Sequence, residues 1–63
     1  MNIPQTILRR DAVERMTGLP RSTLYAKIAA GEFPRPIKLG ARSVGWFERD
    51  IAAWQKALPQ AIR

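Results

Sequence analysis

The chain has 63 residues, 46% of them apolar, and its 11 Lys and Arg against 5 Asp and Glu give a formal net charge of +6. This length allows one small core, and the aromatic and branched residues are too many for a disordered segment. There is no Cys, no His, no signal-like segment and no apolar run long enough to span a membrane. We therefore expect a single cytoplasmic domain over residues 1–63, with no membrane association, metal, cofactor or small-molecule ligand.

Basic residues are concentrated in the middle of the chain. Residues 15–45 contain six Lys and Arg and a single acidic residue, Glu32. This distribution favours a polyanionic partner, and the alternative is a basic surface that only aids solubility. The acidic residues are scattered over presumed helix starts and a loop, without His or Cys beside them. The sequence therefore predicts no catalytic residues and no enzyme.

The first predicted helix spans about residues 9–17 and follows a loose arm over residues 1–6. Its apolar positions Ala12, Val13 and Met16 recur at the three- and four-residue spacing of an amphipathic helix. Gly18 ends the helix, because glycine readily adopts the left-handed conformation, and Leu19 is expected to pack back on the last turn.

The second predicted helix begins at Pro20 and runs to about residue 30, where Gly31 stops it. Proline suits a first helical position because its φ is fixed and it has no N–H to satisfy. Leu24 and Ile28 define the buried side. The other faces are small, polar or basic and carry the following residues: Ser22, Ala26 and Ala29 opposite the core, Arg21 and Tyr25 on one flank, Thr23 and Lys27 on the other.

The segment Phe33-Pro34-Arg35-Pro36 must be an extended connector, because its two prolines are incompatible with a helix. Residues 37–39 and 44–46 each alternate apolar and non-apolar positions on either side of residues 40–43. This pattern predicts a short hairpin over residues 37–46 with a basic tip. So small a hairpin must pack against the helices to be stable.

The last predicted helix covers residues 48–58 and places Ile51, Trp54 and Leu58 on one apolar stripe. Phe47 precedes this helix and is expected to be half-buried. Trp46 and Trp54 are assigned to the core, since their spacing groups them with the apolar stripe rather than with an exposed base-stacking surface.

These elements predict a mainly helical fold with a small β-hairpin, of the winged helix-turn-helix type. Residues 7–30 form the helix-turn-helix, residues 37–46 the wing and residues 48–58 the C-terminal helix. In such a fold the first helix braces the second, which enters the major groove of double-stranded DNA. Binding alone, cooperatively along DNA or as a dimer through the last helix are all compatible with the sequence.

The expected DNA contacts lie on the second helix and the wing. Arg21, Ser22 and Thr23 are placed to meet base edges, and Ala26 to lie against a thymine methyl. Tyr25 and Lys27 are placed near phosphates. Four further contacts are expected from the connector and the wing: Arg35, Lys38, Arg42 and Ser43. The alternatives are a solvated helix face and basic residues that only protect an exposed sheet edge.

The sequence resembles the AlpA-type prophage regulators, small winged helix-turn-helix proteins related to phage excisionases and to MerR-type DNA-binding domains. The similarity extends over about residues 7–58 and is carried by four sets of residues: 17–25, 31–40, 45–46, and 50–51 with Trp54. Family members often have Ser where this chain has Pro20, so the helix start lacks a hydroxyl cap.

The resemblance implies a recognition helix starting near Pro20, a hairpin wing and a nucleoid-associated transcriptional regulator encoded by a bacterial prophage or genomic island. An excisionase-like recombination directionality factor is the alternative within the family. A second alternative is an adaptor or inhibitor that presents its last helix to an acidic protein partner.

Overall fold

Three short helices and a small antiparallel sheet make up the part of the chain that the computed structural model describes, residues 5–59 and 61. This confirms the predicted class, mainly helical with a β-hairpin. The elements in chain order are strand β1 (Ile7–Arg9), helix α1 (Arg10–Thr17), helix α2 (Arg21–Ala29), strand β2 (Ile37–Lys38), strand β3 (Val44–Phe47) and helix α3 (Glu48–Lys56).

Strand β1 was not predicted, and it makes the sheet three-stranded. The order is β1-β3-β2, with Leu8 opposite Trp46 on one side of β3 and Lys38 opposite Val44 on the other. The predicted hairpin is therefore correct but incomplete, because its second strand is the centre of the sheet rather than an edge. A hairpin of this size gains stability from a third strand as well as from the helices.

Thr6, the last residue of the predicted loose arm, is bonded to the folded domain. Arg9 belongs to β1, so α1 begins at Arg10 rather than near residue 9. The carbonyl oxygen of Thr6 accepts a 2.9 Å hydrogen bond from the amide of Glu48, which fixes the residue before β1 to the start of α3. Residues 1–4 of the predicted arm lie outside the described residues.

Helix α1 ends as predicted at Gly18, which has φ +74° and donates its N–H to the carbonyl of Glu14. Leu19 is partly buried against the core. Val13 is the buried residue of α1, whereas Met16 is 43% exposed. The periodicity thus identified the correct side of the helix at Val13, whereas Met16 on the same stripe remains exposed.

Helix α2 begins one residue later than predicted. Pro20 is the N-cap, with ψ 163°, and its carbonyl accepts the 2.9 Å hydrogen bond from the amide of Leu24. Leu24 is fully buried and Ile28 packs against the core from a partly buried position, as expected. After the helix, Gly31 adopts φ +77° and turns the chain into the connector.

The core consists of one residue from each of five parts of the fold: Val13, Leu24, Phe33, Trp46 and Ile51. Trp46 is buried, and Trp54 packs against this cluster, so both belong to the core as predicted. Phe47 is half-buried, also as predicted.

Leu58 is 49% exposed, contrary to the prediction that it extends the apolar stripe of the last helix. Helix α3 ends at Lys56 and is capped at Ala57, so Leu58 lies beyond the last helical residue.

Candidate nucleic-acid interface

The side of α2 opposite the core is the principal exposed polar surface predicted from the sequence. The side chains of Arg21, Ser22 and Ala26 are exposed, while Leu24 on the opposite side is fully buried. Thr23 is half-buried, which is consistent with a position on the flank of the helix. The three residues assigned to base contact therefore lie together in the first turn of α2, with Ala26 one turn further on.

Arg21 and Tyr25 form a pair on one flank of α2. The guanidinium carbon of Arg21 lies 5.8 Å from the centre of the Tyr25 ring. A cation over an aromatic face at this distance is attracted to the π electrons, although an exposed pair gains only about 0.5–1 kcal/mol. The ring therefore favours the orientation in which the Arg21 side chain lies over it.

Lys27, on the other flank, is paired with an acidic residue that follows the helix. Its Nζ lies 3.8 Å from Oε1 of Glu32, and the two side chains are 36% and 65% exposed. Surface ion pairs of this kind contribute little free energy, so the ammonium group can exchange Glu32 for another anion at small cost.

The remaining predicted contacts lie on the connector and the hairpin. Arg35, Lys38 and Arg42 are exposed, whereas Ser43 is half-buried. The main-chain oxygen of Ser43 accepts hydrogen bonds from the amides of Leu39, at 2.7 Å, and Gly40, at 3.3 Å. These bonds close the turn at the tip and present Arg42 at the end of the hairpin.

Two tryptophans hold the connector between α2 and the hairpin. The indole Nε1 of Trp46 donates to the carbonyl oxygen of Pro34 at 2.8 Å, and that of Trp54 donates to Glu32 at 2.9 Å. Between these two bonds the buried ring of Phe33 makes edge contacts with both indoles, at centroid distances of 6.3 and 4.7 Å. The connector is thus a fixed spacer between the two predicted contact surfaces.

Arg9 is a basic residue near the hairpin that the sequence did not single out. Its Nε donates a 3.2 Å hydrogen bond to the carbonyl oxygen of Val44, at the start of β3. The sequence predicts Arg9 at the start of a helix, and only the pairing of β1 with β3 brings it to the hairpin.

The structure shows neither a candidate metal centre nor a membrane-spanning segment within its described part. Residues 5–59 and 61 contain no group of three or more acidic, His or Cys side chains placed to hold an ion. None of the helices described there is long and apolar enough to cross a bilayer.

Two helices joined by a three-residue turn, then a held connector and a hairpin with a third strand beside it, define a winged helix-turn-helix protein. Residues 6–58 match the family described as "Prophage CP4-57 regulatory protein (AlpA)". The match includes most of the chain, and the protein belongs to this family. The resemblance stated from the sequence is confirmed.

Two relatives illustrate the similarity. The chain is 40% identical over 50 residues to the "Uncharacterized protein ORF88" of Enterobacteria phage P4, an alignment that covers 79% of this chain and 57% of the phage protein. It is 39% identical over 54 residues to the "DNA-binding transcriptional activator AlpA" of Escherichia coli K12, covering 76% of this chain and 77% of the relative. The chain thus spans little more than half the length of the phage relative.

Proposed function

We propose that the protein is a sequence-specific DNA-binding regulator of transcription, encoded by a prophage or genomic island. The observation that carries the proposal is the contrast between the two sides of α2, where Arg21, Ser22 and Ala26 are exposed and Leu24 is fully buried. The chain's net charge of +6 and its similarity to a DNA-binding activator support the same function.

In this proposal α2 enters the major groove of double-stranded DNA with its first turn toward the base edges. Arg21 makes a bidentate contact with guanine, Ser22 and Thr23 bond to neighbouring bases, and Ala26 lies against a thymine methyl group. The Tyr25 hydroxyl binds phosphate oxygens and sets the register of the helix along the duplex.

The other phosphate contacts come from beyond the first turn. Lys27 exchanges Glu32 for a phosphate, and Arg35, Lys38 and Ser43 contact the adjacent backbone. Arg42, at the tip of the hairpin, reaches the backbone or a narrowed minor groove.

Selection of bound sites from random duplexes, followed by footprinting of the best site on the source DNA, tests this function. We expect one preferred sequence and a footprint over a promoter. Binding should weaken steeply with salt, because Lys and Arg release counterions when they neutralise phosphates. The four basic phosphate contacts named above give a slope of about −3.6 in a plot of log K against log salt.

Other outcomes contradict parts of the proposal. Repeated sites beside a recombination junction, with none over a promoter, would indicate an excisionase-like role and not control of transcription. Equal and weak binding to every duplex, with no salt dependence, would rule out DNA as the partner and favour an acidic protein.

A further inference from the structure

A basic cleft lies between the start of α1 and the hairpin, and of its lining residues the functional assignments above use only Arg42. Its volume is about 400 Å³, and it is lined by Arg9, Arg10, Asp11, Arg42 and Val44. Three guanidinium-bearing residues from two distant parts of the sequence therefore converge on one concave surface.

The charges in the cleft are unequally neutralised. Arg10 is paired with Glu14, with 3.0 Å between Nε and Oε2, and Asp11 lies 3.5 Å from Arg15. Within residues 5–59 and 61, Arg9 and Arg42 have no carboxylate within 4 Å. The two arginines thus give the cleft an excess of positive charge.

Arg9 is also held in position. β1 pairs with β3, and the Nε–H of Arg9 is fixed to the carbonyl oxygen of Val44. This bond uses one of the five N–H donors of the guanidinium, which leaves both terminal nitrogens to bind a second group. A planar fork of donors that is already oriented suits a phosphate better than a freely moving ammonium does.

We propose that this cleft binds one phosphate of the DNA backbone, with Arg9 and Arg42 as its ligands. The inference rests on the proposed function for its source of phosphate. It adds Arg9 to the interface, so that the strand leading into α1 contacts DNA directly, while α1 itself packs against α2. Because both ligands bind the phosphate and no base, they strengthen binding to all sequences alike.

Asp11 opposes an anion in the same cleft. The amide of Ala12 holds the pKa of Asp11 below its usual value, and the charge of Arg15 acts in the same direction, so this carboxylate is charged at neutral pH. Removing its charge should therefore strengthen phosphate binding. This gives the proposal a test in which affinity rises, an effect that unfolding cannot produce.

The first experiment measures binding of the intact chain to its selected duplex at several salt concentrations. Arg9→Gln and Arg42→Gln should each weaken binding about tenfold, the loss expected for one charged hydrogen-bonded contact, and lower the salt slope by about 0.9. Asp11→Asn should tighten binding a few-fold. Arg49→Gln and Asp50→Asn, which change the same charges at the start of α3, are the matched controls and should have smaller effects.

Two further measurements separate phosphate binding from structural damage. Arg9→Lys loses the oriented fork but keeps the charge, so it should retain most of the salt slope. In a series of duplexes that each carry one neutral methylphosphonate, one position should weaken binding of the wild-type chain. At that position the binding of Arg9→Gln and Arg42→Gln should be no weaker than to the unmodified duplex. Arg21→Ala should remain sensitive at that position.

These measurements distinguish failure of the cleft as a phosphate site from failure of the proposed DNA-binding function. If Arg9→Gln and Arg42→Gln bind like Arg49→Gln with an unchanged salt slope, the cleft is not a phosphate site, although the protein still binds DNA. If the wild-type chain selects no duplex, both proposals are wrong.

Discussion

The indole nitrogen of Trp54 donates a 2.9 Å hydrogen bond to the main-chain oxygen of Glu32, joining α3 to the turn that follows α2. Trp46 makes the equivalent bond to Pro34 two residues further along, at 2.8 Å. The connector is therefore held at two points by side chains from a strand and a helix that come later in the chain. The position of the hairpin relative to α2 depends on both bonds.

Replacing each tryptophan with phenylalanine should separate the two contributions. Trp46 is 1% exposed, so Trp46→Phe removes buried volume and a bond to a part-buried carbonyl, and should lower the free energy of unfolding by about 2–3 kcal/mol. Trp54→Phe should cost about 1 kcal/mol, because water can reach its partner. Urea unfolding followed by circular dichroism measures both, and a larger loss for Trp54→Phe would contradict this account of the connector.

Gly45 should tolerate no side chain. A Cβ there would lie 2.8 Å from Cγ2 of Ile7, 3.0 Å from the carbonyl oxygen of Leu8 and 3.1 Å from Cδ1 of Leu39. Gly45→Ala should lower the free energy of unfolding by about 1–3 kcal/mol, because β1 has to move away from β3.

Gly40→Ala is the control for that substitution, since a Cβ there meets nothing closer than 3.9 Å. Thermal unfolding compares the two variants. Adding Ile7→Ala to Gly45→Ala should restore only part of the lost free energy of unfolding, because the new Cβ still meets the backbone oxygen of Leu8. Full recovery would show that the clash is with the side chain alone.

The DNA affinities of variants on α2 and on the hairpin should distinguish residues that contact bases from residues that contact phosphates. Arg21→Ala should cost about 1–3 kcal/mol on the preferred site and relax the choice at one base position. Lys38→Ala should weaken all duplexes by a similar factor and reduce the salt slope by about 1. Binding to a panel of single-base variants of the selected site measures both. Equal losses for the two variants on every sequence would contradict the assignment of Arg21 as a reader.

Tyr25 should act in two separable ways. Tyr25→Phe keeps the ring beside Arg21 and removes the hydroxyl, so it should weaken binding to all sequences by about 1 kcal/mol through loss of a phosphate contact. Tyr25→Leu also removes the aromatic support, so it should in addition relax the base choice that depends on Arg21. The same panel of duplexes tests this, and equal base preferences for the two variants would show that the ring does not position Arg21.

Acid should weaken the folded state in part through Asp11. The amide of Ala12 holds the pKa of Asp11 below 3.8, so the stabilisation from its charged form is present above that pH and is lost as the pH falls below it. Asp11→Asn should therefore be less stable than the wild type at neutral pH, and the difference should shrink in acid. Urea midpoints from about pH 6 to about pH 2 measure this, and a constant difference would exclude the carboxylate as its cause.

The elements with strong local signals were predictable from the sequence. Gly18 and Gly31 both adopt the positive φ that helix ends favour, and the prolines at 34 and 36 kept the connector out of a helix. The exposed side of α2 followed from the spacing of Leu24 and Ile28 on the opposite side. In these places the conformation of each residue depends on its near neighbours.

The remaining features depend on contacts between distant residues. Three residues cannot be recognised as a strand until their partner is known, so β1 and the location of Arg9 were missed. The periodicity that places Met16 and Leu58 on the apolar stripes of their helices does not show whether another element covers them. The hydrogen bonds from the two tryptophans to the connector likewise link residues 12 and 22 positions apart.

Strand β3 is bonded on both sides, to the strand that leads into α1 and to the first strand of the hairpin, and it continues directly into α3. The hairpin and α1, the helix that packs against α2, are joined in this way and cannot rotate independently to follow the curvature of a duplex. In the proposed complex the DNA therefore makes the adjustment, and the elastic cost of bending it depends on base steps that no side chain touches. Part of the protein's site selectivity would then come from the rigidity of its sheet.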